Sequence, residues 1–172
     1  MTDQRKLHFH NPTAGKLNFN GMIEEVFNYI AEAPEKSYEI IVGCDSSSDE
    51  RPSFPLALVI LRKGYGGRFF LTKIQYPSSE KRRFFNWHQR ILQEVFFSCE
   101  LALSFREAFR KKVASSSLSL DYQFQYIHAD IGQSGPTKDM IKEVVGLIKS
   151  NGFEAKIKPE SFAASVVADR FA

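Results

Sequence analysis

Residues 38–45, YEIIVGCD, decide the fold of this chain. The stretch from Tyr38 to Cys44 is rich in β-prone side chains and almost wholly apolar, which predicts a strand buried on both faces. The strand would end at Asp45, where a polar stretch begins. In α/β sheets, ligands collect at the carboxyl ends of such strands, so Asp45 is the first candidate for a functional residue.

The residues that follow predict two more strands and a long helix. Residues 54–62 and 68–76 are β-rich and are joined by a short glycine-rich loop, as in an antiparallel meander. A helix then runs from about Ser79 or Arg83 to Val113, and it carries apolar side chains almost all the way round. Such a helix is normally central and packs against both the sheet and its neighbours.

The remainder of the chain alternates strand and helix. A fourth strand, 122–129, ends at Asp130, and Pro136 opens a helix that ends before Gly152. A short fifth strand over 153–158 and a last helix that carries Asp169 complete the order. Three antiparallel strands followed by alternating helix and strand predict an α/β fold, with a mixed five-stranded sheet flanked by helices.

The first 36 residues predict an N-terminal extension to this domain. Residues 11–15, NPTAG, have turn chemistry, and Asn20 is a candidate N-cap for a helix ending near Ala33. The apolar face of that helix favours docking on the rest of the protein. The predicted division is therefore an extension with a docking helix, 1–36, and a core domain, 37–172.

Composition sets the remaining limits. The chain has 172 residues, a net charge of +3 and 16 phenylalanines, which suit one domain with a large aromatic core. No apolar run approaches the length of a membrane span, and no signal peptide is evident. Cys44 and Cys99 lie inside apolar runs, which favours buried thiols in a reducing cytoplasm. The mildly basic charge permits contact with nucleic acid without requiring it.

Carboxylates at the strand ends are the strongest chemical signal. Asp45 and Asp130 would lie side by side, and two close carboxylates repel each other unless a cation neutralises them. Glu94, in the apolar middle of the long helix, needs a basic partner or a metal ion to offset its burial. Glu100 is the alternative on another face of that helix, and periodicity does not choose between them. Asp169 alone would be interpreted as a surface residue paired with its neighbour.

Two of these segments resemble a known family. VGCDSSS at 42–48 is similar to the first-strand aspartate motif of ribonuclease H-like nucleases, and SVVADRFA at 165–172 to their closing helix. The whole chain more closely resembles the YkuK family of that superfamily, a bacterial group without an assigned function. The matching stretches are FHNPTAGKLNF (9–19), YEIIVGCDSSS (38–48), HADIGQSGPTKDMIKEVVGLIKSNGF (128–153) and IKPESFAASVVADRFA (157–172). The family usually has threonine and glutamine where this chain has Cys44 and Ser47.

This resemblance implies a metal-dependent nuclease or phosphodiesterase acting on RNA, DNA or a hybrid. The implied acidic set is Asp45, Glu94, Asp130 and Asp169, which would bind one or two Mg²⁺ or Mn²⁺ ions. The alternative is a non-catalytic module that binds nucleic acid or protein and retains the fold. His128 and Lys158 are secondary candidates near the site, and basic clusters at 81–83 and 106–112 could contact a nucleic-acid strand.

Overall fold

The computed structural model describes residues 6–76, 84 and 86–171. The strands are β1 (His8–Asn11), β2 (Gly15–Asn18), β3 (Ser37–Cys44), β4 (Phe54–Arg62), β5 (Gly67–Ile74), β6 (Asp121–Ala129) and β7 (Glu154–Lys156). The α-helices are α1 (Phe19–Ala31), α2 (Trp87–Ala114) and α3 (Ile141–Ser150). A 3-10 turn, Pro136–Met140, precedes α3. A π-helical stretch, Ala163–Ala168, continues into a 3-10 turn, Asp169–Phe171, and together they form the C-terminal helix.

The strands form one mixed sheet in the order β2-β1-β5-β4-β3-β6-β7. Strands β3, β4 and β5 are antiparallel neighbours, whereas β6 runs parallel to β3 and β7 parallel to β6. The predicted mixed α/β sheet is confirmed, and β3 is a buried interior strand between β4 and β6. The predicted number of five strands is wrong, because the sheet has seven strands in the part of the chain that the structure describes.

The two additional strands belong to an N-terminal hairpin that the sequence suggested only as a turn. The side-chain oxygen of Asn11 accepts hydrogen bonds from the main-chain N–H groups of Thr13 and Ala14, at 2.9 and 2.8 Å, which closes the turn. The Asn11 amide donates to the carbonyl of Phe69 at 2.9 Å and attaches the hairpin to β5. Phe9 is fully buried in the main core. The division into an extension (1–36) and a core domain (37–172) stays a prediction, although the hairpin shares the sheet.

The two faces of the sheet carry cores of different size. The main core lies on the first face, where α1, α2 and α3 pack against apolar side chains of the strands. On the second face, a smaller cluster forms between the C-terminal helix and strands β3, β4 and β5. Gly43 permits this second contact, because a Cβ atom there would lie 2.5 Å from the main-chain nitrogen of Ala164. The C-terminal helix therefore rests almost directly on the backbone of β3.

Helix α2 is central but not buried on all sides. Its N-cap is Asn86, whose side chain accepts from the Gln89 N–H, and the predicted starts at Ser79 and Arg83 lie outside the described residues. The helix contacts strands β3 and β6 and helices α1 and α3, while Phe96 and Leu103 are 49% and 37% exposed. Among the residues described, there is no helix with the length and apolar character needed to cross a membrane.

Candidate acidic site

Four separate elements bring carboxyl groups to one end of the sheet. Asp45 and Asp130 follow the parallel strands β3 and β6, whose last residues are paired with each other in the sheet register. Parallel strands that end in register deliver their next side chains to the same edge. Glu94 comes from the first half of α2, and Asp169 comes from the C-terminal helix. The structure therefore brings together the four residues that the sequence resemblance implied.

Asp45 lies at the centre of this cluster. Its Oδ1 atom accepts a hydrogen bond from the main-chain N–H of Ser46 at 2.9 Å. Its side chain also forms a hydrogen bond with the side chain of Asp169, a carboxyl pair that needs a proton on one partner. Burial, followed by repulsion from Asp130 and Asp169, raises the pKa of Asp45 to about 6, against the lowering effect of the Ser46 N–H. The carboxylates of the cluster therefore repel one another, and a bound cation would reduce this repulsion.

Glu94 is the most deeply buried of the four carboxyl groups, with only 7% of the residue exposed. The hydroxyl of Ser46 donates to Glu94 Oε1 at 2.5 Å. Burial raises the pKa of Glu94 to about 8, with repulsion from Asp45 adding to it and Arg90 acting against it. Glu100 lies further along α2 and is only partly buried. The geometry therefore brings Glu94, the residue in the implied acidic set, to the aspartates.

Asp130 has one paired and one unpaired oxygen. Its Oδ2 atom lies 3.0 Å from Nζ of Lys158, whose side chain is about half exposed at 53%. Its Oδ1 atom is buried and has no hydrogen-bond partner among the described residues. Burying a carboxylate oxygen without a partner costs free energy, so the presence of one indicates a place where a ligand would bind. Lys158 therefore contacts this site, as the sequence had suggested.

His128 has a different environment from the carboxylates. Its Nδ1 atom accepts a hydrogen bond from the main-chain N–H of Ala163 at 3.1 Å, and its ring meets the edge of Phe162. Burial, with a smaller effect of Lys156, lowers the pKa of His128 to about 4. The imidazole is therefore neutral at pH 7 and attaches the C-terminal helix to β6. This contact positions the segment that delivers Asp169.

Two residues of the site were not identified from the sequence. Ser46 connects Asp45 and Glu94 through its main-chain N–H and its hydroxyl. Arg90 lies one helical turn before Glu94 and lowers its pKa through charge attraction. The i, i+4 spacing of Arg90 and Glu94 was the available signal, because such residues share a helix face. It was not recognised because the neighbouring side chains on that face are mostly apolar.

The family resemblance implies a divalent ion at this site. Carboxylate oxygens are the ligands of Mg²⁺ and Mn²⁺. Asp130 Oδ1 is buried without a partner among the described residues, and Asp130 repels Asp45. The donor chemistry therefore fits such an ion. As the side chains stand, however, no three His, Cys, Asp or Glu residues within 6–76, 84 and 86–171 form a group that could hold a metal. Ser46, Lys158 and the Asp45–Asp169 hydrogen bond occupy the carboxyl groups instead.

The other candidate features do not converge on this site. The basic cluster at 81–83 lies outside the described residues. In the second cluster, Lys111 and Lys112 each form an ion pair of 2.7 Å with a glutamate, and Arg106 donates to a main-chain carbonyl at 3.2 Å. Tyr65 is an aromatic side chain that could also guide a nucleic-acid strand, and it is 66% exposed, but it lies in the β4–β5 turn at the opposite end of the sheet from Asp45.

The fold and the acidic cluster together define a class of α/β proteins, those with a mixed sheet and carboxyl groups at the ends of two parallel central strands. A family model described as Ribonuclease H-like matches residues 21–172, so the chain belongs to this family. It is also 30% identical over 169 residues to the Uncharacterized protein YkuK of Bacillus subtilis (strain 168), with 95% of each chain covered. The chain is thus a member of the YkuK family. No solved structure matches it.

Proposed function

We propose that this protein is a divalent-metal-dependent nuclease, a phosphodiesterase that acts on nucleic acid. The observation that carries the proposal is the convergence of Asp45, Glu94, Asp130 and Asp169 from four elements of the fold. Membership of the ribonuclease H-like family supports a function related to nucleic acid. We propose these four carboxylates as the ligands of Mg²⁺ or Mn²⁺ and as the catalytic residues.

The divalent ion and the residues around it have different parts in the proposed chemistry. When bound, the divalent ion would supply a more acidic water and stabilise charge on the phosphate oxygens. Ser46 holds Glu94 toward Asp45 through its hydroxyl, and thereby limits the rotation of a long side chain. Lys158 places a positive charge beside Asp130 at the exposed rim, where it attracts an incoming phosphate. Asp169 completes the cluster on its solvent side, where it is exposed.

The direct test is cleavage of nucleic acid by the purified protein. Labelled RNA, DNA and an RNA–DNA hybrid are incubated with the protein and Mn²⁺, alongside the Asp45→Asn variant. We expect cleavage of at least one substrate by the wild type, none above background by Asp45→Asn, and near-wild-type rates by the matched control Glu100→Gln. Absence of cleavage above the Asp45→Asn background on all substrates contradicts the proposal.

A second candidate function is a non-catalytic module that binds nucleic acid or protein. The observation that favours it is the ion pair between Lys158 and Asp130, which neutralises one carboxylate without any metal. Calorimetric titration with Mn²⁺ separates the two functions. A non-catalytic module is expected to bind its partner equally well after Asp130→Asn, whereas a nuclease should lose metal binding and cleavage together.

We also propose a cytoplasmic location. The supporting observation is that Cys44 and Cys99 are both buried and unpaired with each other. Free, buried thiols are typical of proteins from reducing compartments. Fractionation of the native cells, followed by immunodetection, tests this location.

A further inference from the structure

The second face of the sheet carries a basic surface beyond the C-terminal helix. Along β5, Phe70 and Ile74 enter the main core, whereas Leu71 belongs to the second cluster. Because side chains alternate along a strand, Lys73 lies on the second face together with Leu71. The C-terminal helix packs on β3, β4 and β6, and Lys73 lies beyond that cover and is exposed.

The N-terminal hairpin extends this surface. His10 of β1 is paired with Leu71, and Lys16 of β2 is paired with His10, so both side chains lie on the second face. His8 lies two residues from His10 and therefore has the same orientation. These side chains line a groove of about 520 Å³ whose ionisable lining residues are Lys6, His8, His10, Lys16 and Lys73. The lining contains neither aspartate nor glutamate.

The sheet register connects this groove to the acidic site. The main-chain N–H of Asp45 donates to the carbonyl of Pro55 at 3.2 Å, and Pro55 is paired with Lys73 on β5. Asp45, Pro55 and Lys73 therefore lie in one row across the second face. Neighbouring strands are about 4.8 Å apart, so Lys73 is about 10 Å from Asp45 at the backbone, and the hairpin lies one and two strands further out.

We propose that this groove binds the phosphodiester backbone of a single nucleic-acid strand and leads it to the acidic site. The inference rests on the proposed function for the position of cleavage, but strand binding can be measured without cleavage. Lysine ammonium groups and imidazole N–H groups are suitable donors to phosphate oxygens. A positively charged groove that follows the backbone is the usual way in which proteins bind single-stranded nucleic acid. No ion pair engages Lys16 or Lys73 in the part of the chain that the structure describes.

Binding is tested with fluorescein-labelled single-stranded RNA and DNA oligonucleotides, by fluorescence anisotropy in EDTA over a series of salt concentrations. The variant is Lys16→Gln with Lys73→Gln. Each phosphate contact with a single strand contributes about 0.7 to the slope of log K against log salt, so loss of two contacts should lower that slope by about 1.4. We expect the affinity at 100 mM salt to fall by roughly 10-fold.

The matched control removes the same two charges elsewhere. Lys63→Gln with Lys149→Gln changes exposed lysines, one of them in the β4–β5 turn at the far end of the sheet. Neither lysine lines the groove, so this variant loses only the small long-range attraction that depends on net charge, and its affinity and slope should stay within about 2-fold of the wild type. Melting temperatures of both variants should equal that of the wild type, which establishes that they are folded.

The outcomes separate the groove from the catalytic proposal. The proposal that the groove binds a strand is overturned if both double variants lose affinity equally, or if the wild type binds neither oligonucleotide. If Mn²⁺-dependent cleavage is nevertheless observed, the nuclease proposal survives that result. Conversely, strand binding that depends on Lys16 and Lys73 in a protein that never cleaves supports the groove and overturns the nuclease.

Discussion

Replacing Glu94 by glutamine should stabilise the metal-free protein at neutral and alkaline pH. Glu94 is almost fully buried beside Asp45, and its pKa is raised to about 8 from 4.5 by burial and by neighbouring carboxylates. Glutamine has nearly the same shape and retains an oxygen that can accept the hydrogen bond from Ser46. The substitution therefore removes an ionisable group and changes the packing very little.

The magnitude follows from the difference in proton binding. Between pH 4.5 and pH 8 the folded protein holds a proton on Glu94 that the unfolded chain has released, so the free energy of unfolding falls as pH rises. Each pH unit within this window lowers the free energy of unfolding by about 1.4 kcal/mol, so the loss at pH 7.5 is about 4 kcal/mol in total. The Glu94→Gln variant lacks this cost. For a chain of this size, the gain corresponds to a melting temperature roughly 8–16 °C higher.

The assay is thermal unfolding in EDTA, followed by circular dichroism from pH 5 to pH 8. We expect the variant and the wild type to be nearly equal at pH 5 and to diverge as the pH rises. Glu100→Gln, in the same helix, is the control and should follow the wild-type curve throughout. If the difference between Glu94→Gln and the wild type does not change with pH, Glu94 does not titrate in a buried site and the reasoning fails.

Two further predictions test the metal ligands and the packing of the sheet. Mn²⁺ at 100 times its dissociation constant should stabilise the wild type by about 2.7 kcal/mol in denaturant unfolding, and a similar gain in Asp130→Asn would refute a ligand role for Asp130. Gly43→Ala should destabilise the protein by about 3 kcal/mol or more, since the new Cβ atom would meet the backbone of Ala164 at 2.5 Å. The matched change Gly146→Ala in α3, where nothing lies within 4 Å, should stabilise it by about 1 kcal/mol in urea unfolding.

The elements of the fold that bury long, regular patterns were predictable from the sequence. Strand β4 has the predicted bounds, and β3 and β6 differ from their predicted bounds by one residue at the start. The hairpin was missed because β1 and β2 have only four residues each, which is too short for a period-2 pattern to be distinguished from a loop. What makes them strands is the docking of Phe9 and Asn11 against distant partners.

The candidate site was only partly predictable. Asp45 and Asp130 could be expected side by side, because both end buried strands that the topology makes neighbours. The choice between Glu94 and Glu100 depended on the rotation of α2 about its axis. That rotation is set by packing of the helix on β3 and on its neighbouring helices, and a helix with apolar residues on several faces does not reveal it. The contact of Ser46 with Glu94 followed from the same packing.

The sequence by itself determined the order of the core strands and helices and the acidic residues at the strand ends, because these depend on local hydrophobic patterns and turn chemistry. Only the tertiary structure decided that Glu94 turns toward Asp45 and that Asp130 pairs with Lys158. It also placed the basic side chains of the N-terminal hairpin next to β5, where Lys73 is aligned with Pro55 and Asp45 across the sheet. The physical reason is that these relations join residues far apart in the chain, and the register of the strands and the packing of the helices set their distances.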